Sequence, residues 1–109
     1  MASAIKLYND VSTKCSELIT KSYSTSFSLG IYTLDKRIHK DIYNIYGFVR
    51  FADEIVDTFH DLDKEKYLNK FEEETFLSIK ENFSANPVLH AFQLTVNRFN
   101  IDEKHIKAY

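Results

Sequence analysis

The chain has 109 residues, of which 44% are hydrophobic and 28% are charged, with a formal net charge of −2. This composition is typical of one folded domain and excludes wholesale disorder, and the negative charge disfavours general nucleic-acid binding. No apolar run is long enough to span a membrane, no basic-then-apolar leader opens the chain, and the single Cys15 allows no internal disulfide. We therefore expect a cytoplasmic protein in which Cys15 is a small core residue.

The spacing of the apolar residues, with only two glycines and one proline, predicts an all-α fold in which residues 1–109 form a single helical segment. The first helix is expected over residues 4–22, behind an N-cap at Ser3. We expect its buried face to be formed by apolar side chains, namely Tyr8, Val11, Cys15, Leu18 and Ile19. The hydroxyl-rich segment 23–28 then suits either a bound phosphate or a cap and turn before Gly30.

The next predicted helix covers residues 36–59, with Asp35 as its N-cap, and its side chains sort into three stripes. A polar line recurs at steps of four, three and four residues: Tyr46, Arg50, Asp53 and Asp57. An aliphatic stripe lies to one side of that line: Ile42, Ile45, Val49, Ala52 and Val56. An aromatic-rich stripe lies to the other side: Phe48, Phe51, Ile55 and Phe59. Charges between two apolar stripes indicate the wall of a cavity rather than an outer surface.

Two further helices and the start of another are predicted in the rest of the chain. A helix over residues 64–82 follows an N-cap at Asp63, and the glutamates at 72–74 form its solvated face. Its inward residues are Tyr67, Leu68, Phe71, Phe76 and Ile79. Asn86 followed by Pro87 is a strong start signal for the next helix. The core residues of that helix are Val88, Phe92, Val96 and Phe99, and a last helix is expected to start at residues 100–102.

The aspartates of the polar line are spaced for metal binding. Carboxylates at positions i and i+4 of a helix lie roughly 6 Å apart and repel by about 3 kcal/mol at an effective dielectric near 20. A divalent cation removes this repulsion, and hard oxygen ligands favour Mg²⁺ bridged to a phosphate. Arg50 and the Tyr46 hydroxyl extend the same line, so Asp53 and Asp57 are predicted to form half of a metal-diphosphate site. The plain alternative is an ordinary surface charge pair between Arg50 and Asp53.

His60 allows a rival interpretation. Asp57 and His60 have the carboxylate-x-x-histidine spacing by which helical bundles hold two iron or manganese ions. The chain has no second copy of that pair, so a self-associated bundle would have to supply it. The other histidines, His39, His90 and His105, are interpreted as surface or boundary residues. A third hypothesis is a helical interaction domain that binds no ligand.

Two motifs carry a resemblance to a known family. Residues 46–57 resemble the first aspartate-rich motif, R-x-x-D-x-x-x-D, of the squalene and phytoene synthase family, and Ser24-Thr25-Ser26-Phe27 resembles its upstream S-x-S-F element. The amino-acid sequences of both motifs are most similar to those of bacterial phytoene synthases. The resemblance implies the N-terminal helices of the isoprenoid synthase fold. The second aspartate-rich motif of the family is absent, so we expect a fragment that is inactive alone.

The resemblance also implies roles for individual residues. Asp53 and Asp57 would ligate Mg²⁺, with Mn²⁺ as a substitute. Arg50 and Tyr46 would be catalytic residues that contact the prenyl diphosphate or a reaction intermediate. The pocket's phosphate end would be lined by Ser24, Ser26 and Phe27. Some relatives carry a histidine where this chain has Tyr23, so no diphosphate contact is assigned there. Glu54 is predicted to point away from the aspartate line and is given no role.

The implied reaction joins two geranylgeranyl diphosphates head to head to give phytoene in carotenoid biosynthesis. Squalene or dehydrosqualene synthesis is the alternative within the same family. A lipid product would suit peripheral membrane contact. Self-association is expected because the helix of the polar line would expose apolar side chains, namely Ile45, Phe48, Val49 and Phe51.

Overall fold

The computed structural model describes residues 2–57 and 63–107, with side chains from residue 4 onward. These residues form α-helices without any strand in the described ranges, which confirms the all-α prediction. The helices are α1 (Ala2–Tyr23), α2 (Thr25–Ile31), α3 (His39–Asp57), α4 (Lys64–Glu81), α5 (Pro87–Phe99) and α6 (Glu103–Lys107), and a 3₁₀ turn (Lys36–Ile38) leads into α3. None of the described helices is both long and apolar enough to cross a bilayer.

Local capping signals explain where several of these helices begin. The Asp35 carboxylate accepts the Arg37 backbone N–H at 2.8 Å, and Asp63 accepts that of Lys66 at 3.0 Å. The Asn86 side chain accepts the Val88 N–H at 2.9 Å, with Pro87 at the first helical position. Three of the four predicted N-caps are confirmed, although Asp35 caps the 3₁₀ turn rather than α3 itself. The predicted cap at Ser3 is wrong, because α1 already begins at Ala2. Phe59 and His60, which belong to the predicted stripes and to the rival metal pair, lie outside the described residues.

The hydrophobic core lies between α3, α4 and α5, and α1 packs against α3 and α5. Its centre is the Phe48 ring of α3, which stacks on Phe92 at 3.9 Å and on Phe71 at 5.3 Å between ring centroids. The aromatic-rich stripe of α3 therefore faces the core. The aliphatic stripe does so only in part, because Ala52 is 8% exposed whereas Ile45 is 38% exposed. Of the four side chains expected to be exposed, only Ile45 is at the surface, because Phe48 is buried and Val49 and Phe51 pack half-buried against the core.

Several apolar residues predicted to be inside are at the surface. Tyr67 and Leu68 on α4 and Phe99 at the end of α5 are exposed, while Thr75 and Ser78 of α4 are buried. Each of the two hydroxyls hydrogen-bonds to a backbone carbonyl of its own helix, at 2.7 Å and 2.6 Å. Small side chains bonded to their own backbone can therefore fill the buried face of α4 without leaving a polar group unpaired.

Helix α1 buries hydroxyls fully and the predicted apolar face only in part, since Tyr8, Cys15 and Ile19 are half-buried. Val11 and Leu18 are exposed, and the fully buried side chains of α1 are those of Ser12, Ser16 and Thr20, one turn apart. The cause is a close approach to α3 at Gly47, where an added Cβ would come within 2.7 Å of Ser16 Cβ. Two helices at that separation leave room only for small side chains, so residue size outweighs hydrophobicity in deciding which face is buried.

This contact predicts the effect of filling it. Gly47→Ala should destabilise the fold by about 1–3 kcal/mol, because the new methyl group overpacks the contact between α1 and α3. Gly30→Ala on α2 is the matched control, since an added Cβ there meets nothing within 4 Å. That change should be neutral or stabilise by up to about 1 kcal/mol through its helix propensity. Urea denaturation of the two variants measures both values, and equal effects would contradict the close packing.

The prediction that His90 is a surface or boundary residue is also wrong, because its side chain is buried. Its Nδ1 accepts the Ser84 backbone N–H at 3.2 Å, and its Nε2 lies 2.6 Å from the Asn9 Oδ1. With Nδ1 as the acceptor, Nε2 carries the proton and donates it to Asn9. The ring also packs on Tyr8, at 4.4 Å between centroids. His90 thereby joins α1 to the start of α5 in its neutral form.

A pH dependence of stability follows from this arrangement. Burial lowers the pKa of His90 from its ordinary value of 6.5. Below about pH 6.5 the His90 side chain is therefore protonated in the unfolded chain but stays neutral in the native state. The free energy of unfolding consequently falls as the pH falls, by up to about 1.4 kcal/mol per pH unit. Urea denaturation at pH 7.5 and 5.5 should show a smaller loss for His90→Gln than for the wild type. Equal losses would contradict the prediction, since the other histidines are common to both proteins.

Candidate functional site

The predicted polar line lies along α3, but its members differ in burial. Tyr46, Arg50 and Asp53 are half-buried, and Asp57, at the end of the helix, is exposed. Tyr46, Arg50 and Asp53 are therefore held against the protein while Asp57 faces solvent. The two aspartates are one helical turn apart on one face, as the spacing predicts.

Arg50 pairs with a residue to which the sequence analysis gave no role. One of its terminal guanidinium nitrogens donates to Glu54 Oε1, in a pair whose side chains are only 27% and 13% exposed. The Glu54 hydrogen bond raises the pKa of Arg50 above its ordinary range, and the nearby Asp53 charge adds to this effect. Glu54 was predicted only to point away from the two aspartates. Its pair with Arg50 was not predicted, although position i+4 lies as close to Arg50 on the helix surface as Asp53 at i+3 does.

The same guanidinium has two further features. It lies over the Tyr23 ring, with 4.7 Å from its central carbon to the ring centroid, which is a cation–π distance. Its Nε is buried and has no hydrogen-bond partner among the described residues. A buried N–H without an acceptor is costly, so this atom marks a place where an anion's oxygen would be stabilised. No pattern in the sequence indicated the Tyr23 contact, which joins the end of α1 to α3.

The upstream motif lies beside the polar line. Ser24 caps α2, with its side-chain oxygen accepting the Phe27 N–H at 3.2 Å, so the capping interpretation of that hydroxyl is correct. Ser26 is exposed. The Phe27 ring stacks on Tyr46 at 4.4 Å between centroids. The structure thus brings the two motifs together through Phe27 and Tyr46, and it leaves Ser26 at the adjoining surface.

An apolar cavity of about 530 Å³ opens beside Asp53, between α3, α4 and α6. Its apolar walls are formed by Phe48, Ala52, Val56, Leu68, Phe71, Phe76 and Ile106. Asp53, Glu72 and Lys107 are the charged residues that line it. The prediction that the polar line borders a cavity is therefore met at Asp53, whereas Tyr46, Arg50 and Asp57 do not line this space.

The donor set for a metal is incomplete within the described ranges. No group of three or more His, Cys, Asp or Glu side chains there is arranged to hold a metal ion. Asp53 and Asp57 provide two hard oxygen donors on one helix face, which fits part of a Mg²⁺ coordination shell, since Mg²⁺ typically keeps several waters and bridges to phosphates. The rival pair of Asp57 and His60 cannot be compared, because His60 lies outside the described residues.

Comparison with known proteins gives one match. The model of the squalene/phytoene synthase family matches residues 20–109, a range that includes both the Ser24-to-Phe27 motif and the polar line. No curated protein and no solved structure matches the chain significantly.

Proposed function

The chain belongs to the squalene/phytoene synthase family, and from this premise we propose that it binds a prenyl diphosphate through Mg²⁺ and serves the synthesis of phytoene. Family membership indicates a prenyltransferase of isoprenoid biosynthesis with head-to-head chemistry. The proposed substrate is geranylgeranyl diphosphate, two molecules of which give phytoene. The observation that carries the proposal is the position of Asp53, in the wall of an apolar cavity and one turn from Arg50 and from Asp57.

The residues divide into a polar end and an apolar end. Asp53 and Asp57 would hold Mg²⁺, or Mn²⁺ in its place. When bound, that cation would neutralise the diphosphate and help it to depart as a leaving group. Arg50 would offer its buried Nε–H to a diphosphate oxygen, as a charge-assisted hydrogen bond. The Tyr46 hydroxyl, on the same line, would contact the same group.

The remaining residues would shape the site around the substrate. Phe27 holds Tyr46 by ring stacking, so the upstream motif would act partly by orienting that tyrosine. Ser24 and Ser26 would border the phosphate end, with Ser24 also serving as the cap of α2. The apolar cavity beside Asp53 would receive prenyl carbons and exclude water from the reacting allylic group.

Calorimetric titration of the purified chain tests this proposal. We expect geranylgeranyl diphosphate to bind only when Mg²⁺ is present, because two neighbouring carboxylates would otherwise repel the diphosphate. We expect no hydrocarbon product from the chain alone, since one aspartate pair is too small a donor set for two diphosphates. A clear preference for farnesyl diphosphate would favour squalene or dehydrosqualene synthesis instead.

Two other outcomes would replace the proposal. Tightly held iron or manganese that is lost in His60→Ala would favour the di-metal bundle. Binding that is absent under all conditions, together with an unchanged Asp53→Asn variant, would favour an interaction domain without a ligand. Light scattering alongside the titration shows whether exposed side chains such as Ile45 cause self-association.

A further inference from the structure

We propose that Tyr23 and Glu54 are positioning residues that hold the Arg50 guanidinium ready for an anion. The inference rests on the proposed function, because the anion is taken to be a diphosphate. It adds two residues to the site that neither the spacing of the motifs nor the family match assigns. Each acts on Arg50 from a different helix, Tyr23 from the end of α1 and Glu54 from α3.

The Glu54 contact fixes one edge of the guanidinium. Glu54 is the more buried member of the pair, at 13% side-chain exposure, and the ion pair with Arg50 offsets part of the desolvation of its carboxylate. Arg50 in turn loses rotational freedom when a terminal nitrogen is bonded to that carboxylate. A guanidinium has five N–H donors in a rigid fork, so fixing one nitrogen also fixes the directions of the others.

The Tyr23 contact fixes one face of the same group. The ring lies 4.7 Å from the guanidinium carbon, and the arginine side chain is only 27% exposed. With one edge on Glu54 and one face on Tyr23, the Nε–H stays buried and without an acceptor among the described residues. A donor that is already desolvated and held in place binds an anion without the cost of ordering a long side chain.

A positioning role and a purely electrostatic role for Glu54 predict opposite effects of its removal on anion binding, so mutation distinguishes the two roles. If Glu54 only offset the arginine charge, removing its carboxylate would strengthen anion binding. If Glu54 positions Arg50, Glu54→Gln keeps an oxygen acceptor and should retain binding, whereas Glu54→Ala should weaken it about two- to tenfold. At Tyr23 the corresponding pair is Tyr23→Phe, which keeps the ring face, and Tyr23→Leu, which removes it.

Nuclear magnetic resonance of the arginine Nε–H groups reads out the position directly. The chain has three arginines, and Arg37 and Arg98 are internal references because their side chains are 87% and 64% exposed. We expect a distinct, slowly exchanging Arg50 signal in the wild type, identified by its loss in Arg50→Lys. Tyr23→Leu and Glu54→Ala should speed its exchange with solvent and move it towards the position of a free arginine side chain, while Tyr23→Phe and Glu54→Gln preserve it. Circular dichroism verifies that every variant is folded.

Adding inorganic pyrophosphate with Mg²⁺ completes the experiment. The proposal is supported if pyrophosphate shifts the wild-type Arg50 signal and binds about two- to tenfold more weakly to Tyr23→Leu and Glu54→Ala. It is overturned, with the proposed function intact, if both variants keep the wild-type signal and affinity, or if Glu54→Ala binds more tightly. If pyrophosphate leaves the wild-type Arg50 signal unchanged, the proposed function fails and the positioning role fails with it.

Discussion

Replacing Asp53 with asparagine is expected to weaken Mg²⁺-dependent binding of prenyl diphosphate at least about 100-fold with little change in the stability of the fold. The attraction between a carboxylate and a divalent cation at contact distance amounts to several kcal/mol even at an effective dielectric near 20, and the amide loses most of it. Stability should change little, because the attraction lost between Asp53 and Arg50 is offset by the repulsion lost between Asp53 and Asp57. Calorimetric titration and thermal melting measure the two quantities.

Asp41 provides the matched control on the same helix. Its carboxylate is buried and accepts hydrogen bonds from the Thr95 hydroxyl at 2.8 Å and from Arg98 at 3.2 Å, so it joins α3 to α5. Asp41→Asn should cost about 1–3 kcal/mol of stability while leaving Mg²⁺-dependent binding in place. If Asp53→Asn were the more destabilising of the two substitutions, Asp53 would be a structural residue and its proposed metal role would be wrong.

The parts of the fold that sequence predicts well are those decided by neighbouring residues. Asp63 and Asn86 cap their helices through bonds that span two or three positions, so the residue types alone indicate them. The buried face of α1 is different, because it depends on how closely α3 approaches at Gly47. Periodicity marks which residues share a face, but the separation between two helices decides whether that face carries leucines or serines.

The candidate site divides in the same way. The line from Tyr46 to Asp57 follows from helical spacing, and its position beside a cavity follows from the apolar stripes around Asp53. The contacts of Tyr23 with Arg50 and of Phe27 with Tyr46 join different helices, and no local pattern encodes them. The ion pair between Arg50 and Glu54 could have been predicted from the sequence, since i,i+4 charge pairs are common on helices.

The largest expected loss of stability comes from Phe48 rather than from the aliphatic stripe of the same helix. Phe48→Ala should cost about 3–5 kcal/mol, because the ring is buried and stacks on both Phe71 and Phe92. Ile45→Ala would have cost about 2–5 kcal/mol if its stripe were core. Because Ile45 is 38% exposed, Ile45→Ala should instead lower the free energy of unfolding by less than about 1 kcal/mol. Urea denaturation of both variants gives the comparison.

The total free energy of unfolding of such a domain is only about 5–15 kcal/mol, so Phe48→Ala could prevent folding. Phe48→Leu is the variant to measure in that case. Leucine retains much of the buried apolar surface but loses both ring stacks, so its loss should fall between those of the other two variants. Phe48 also lines the cavity beside Asp53, so its loss should enlarge that space as well as weaken the core. A larger loss for Ile45→Ala than for Phe48→Leu would mean that α3 packs through its aliphatic stripe, and the position of Asp53 in the cavity wall would then be wrong.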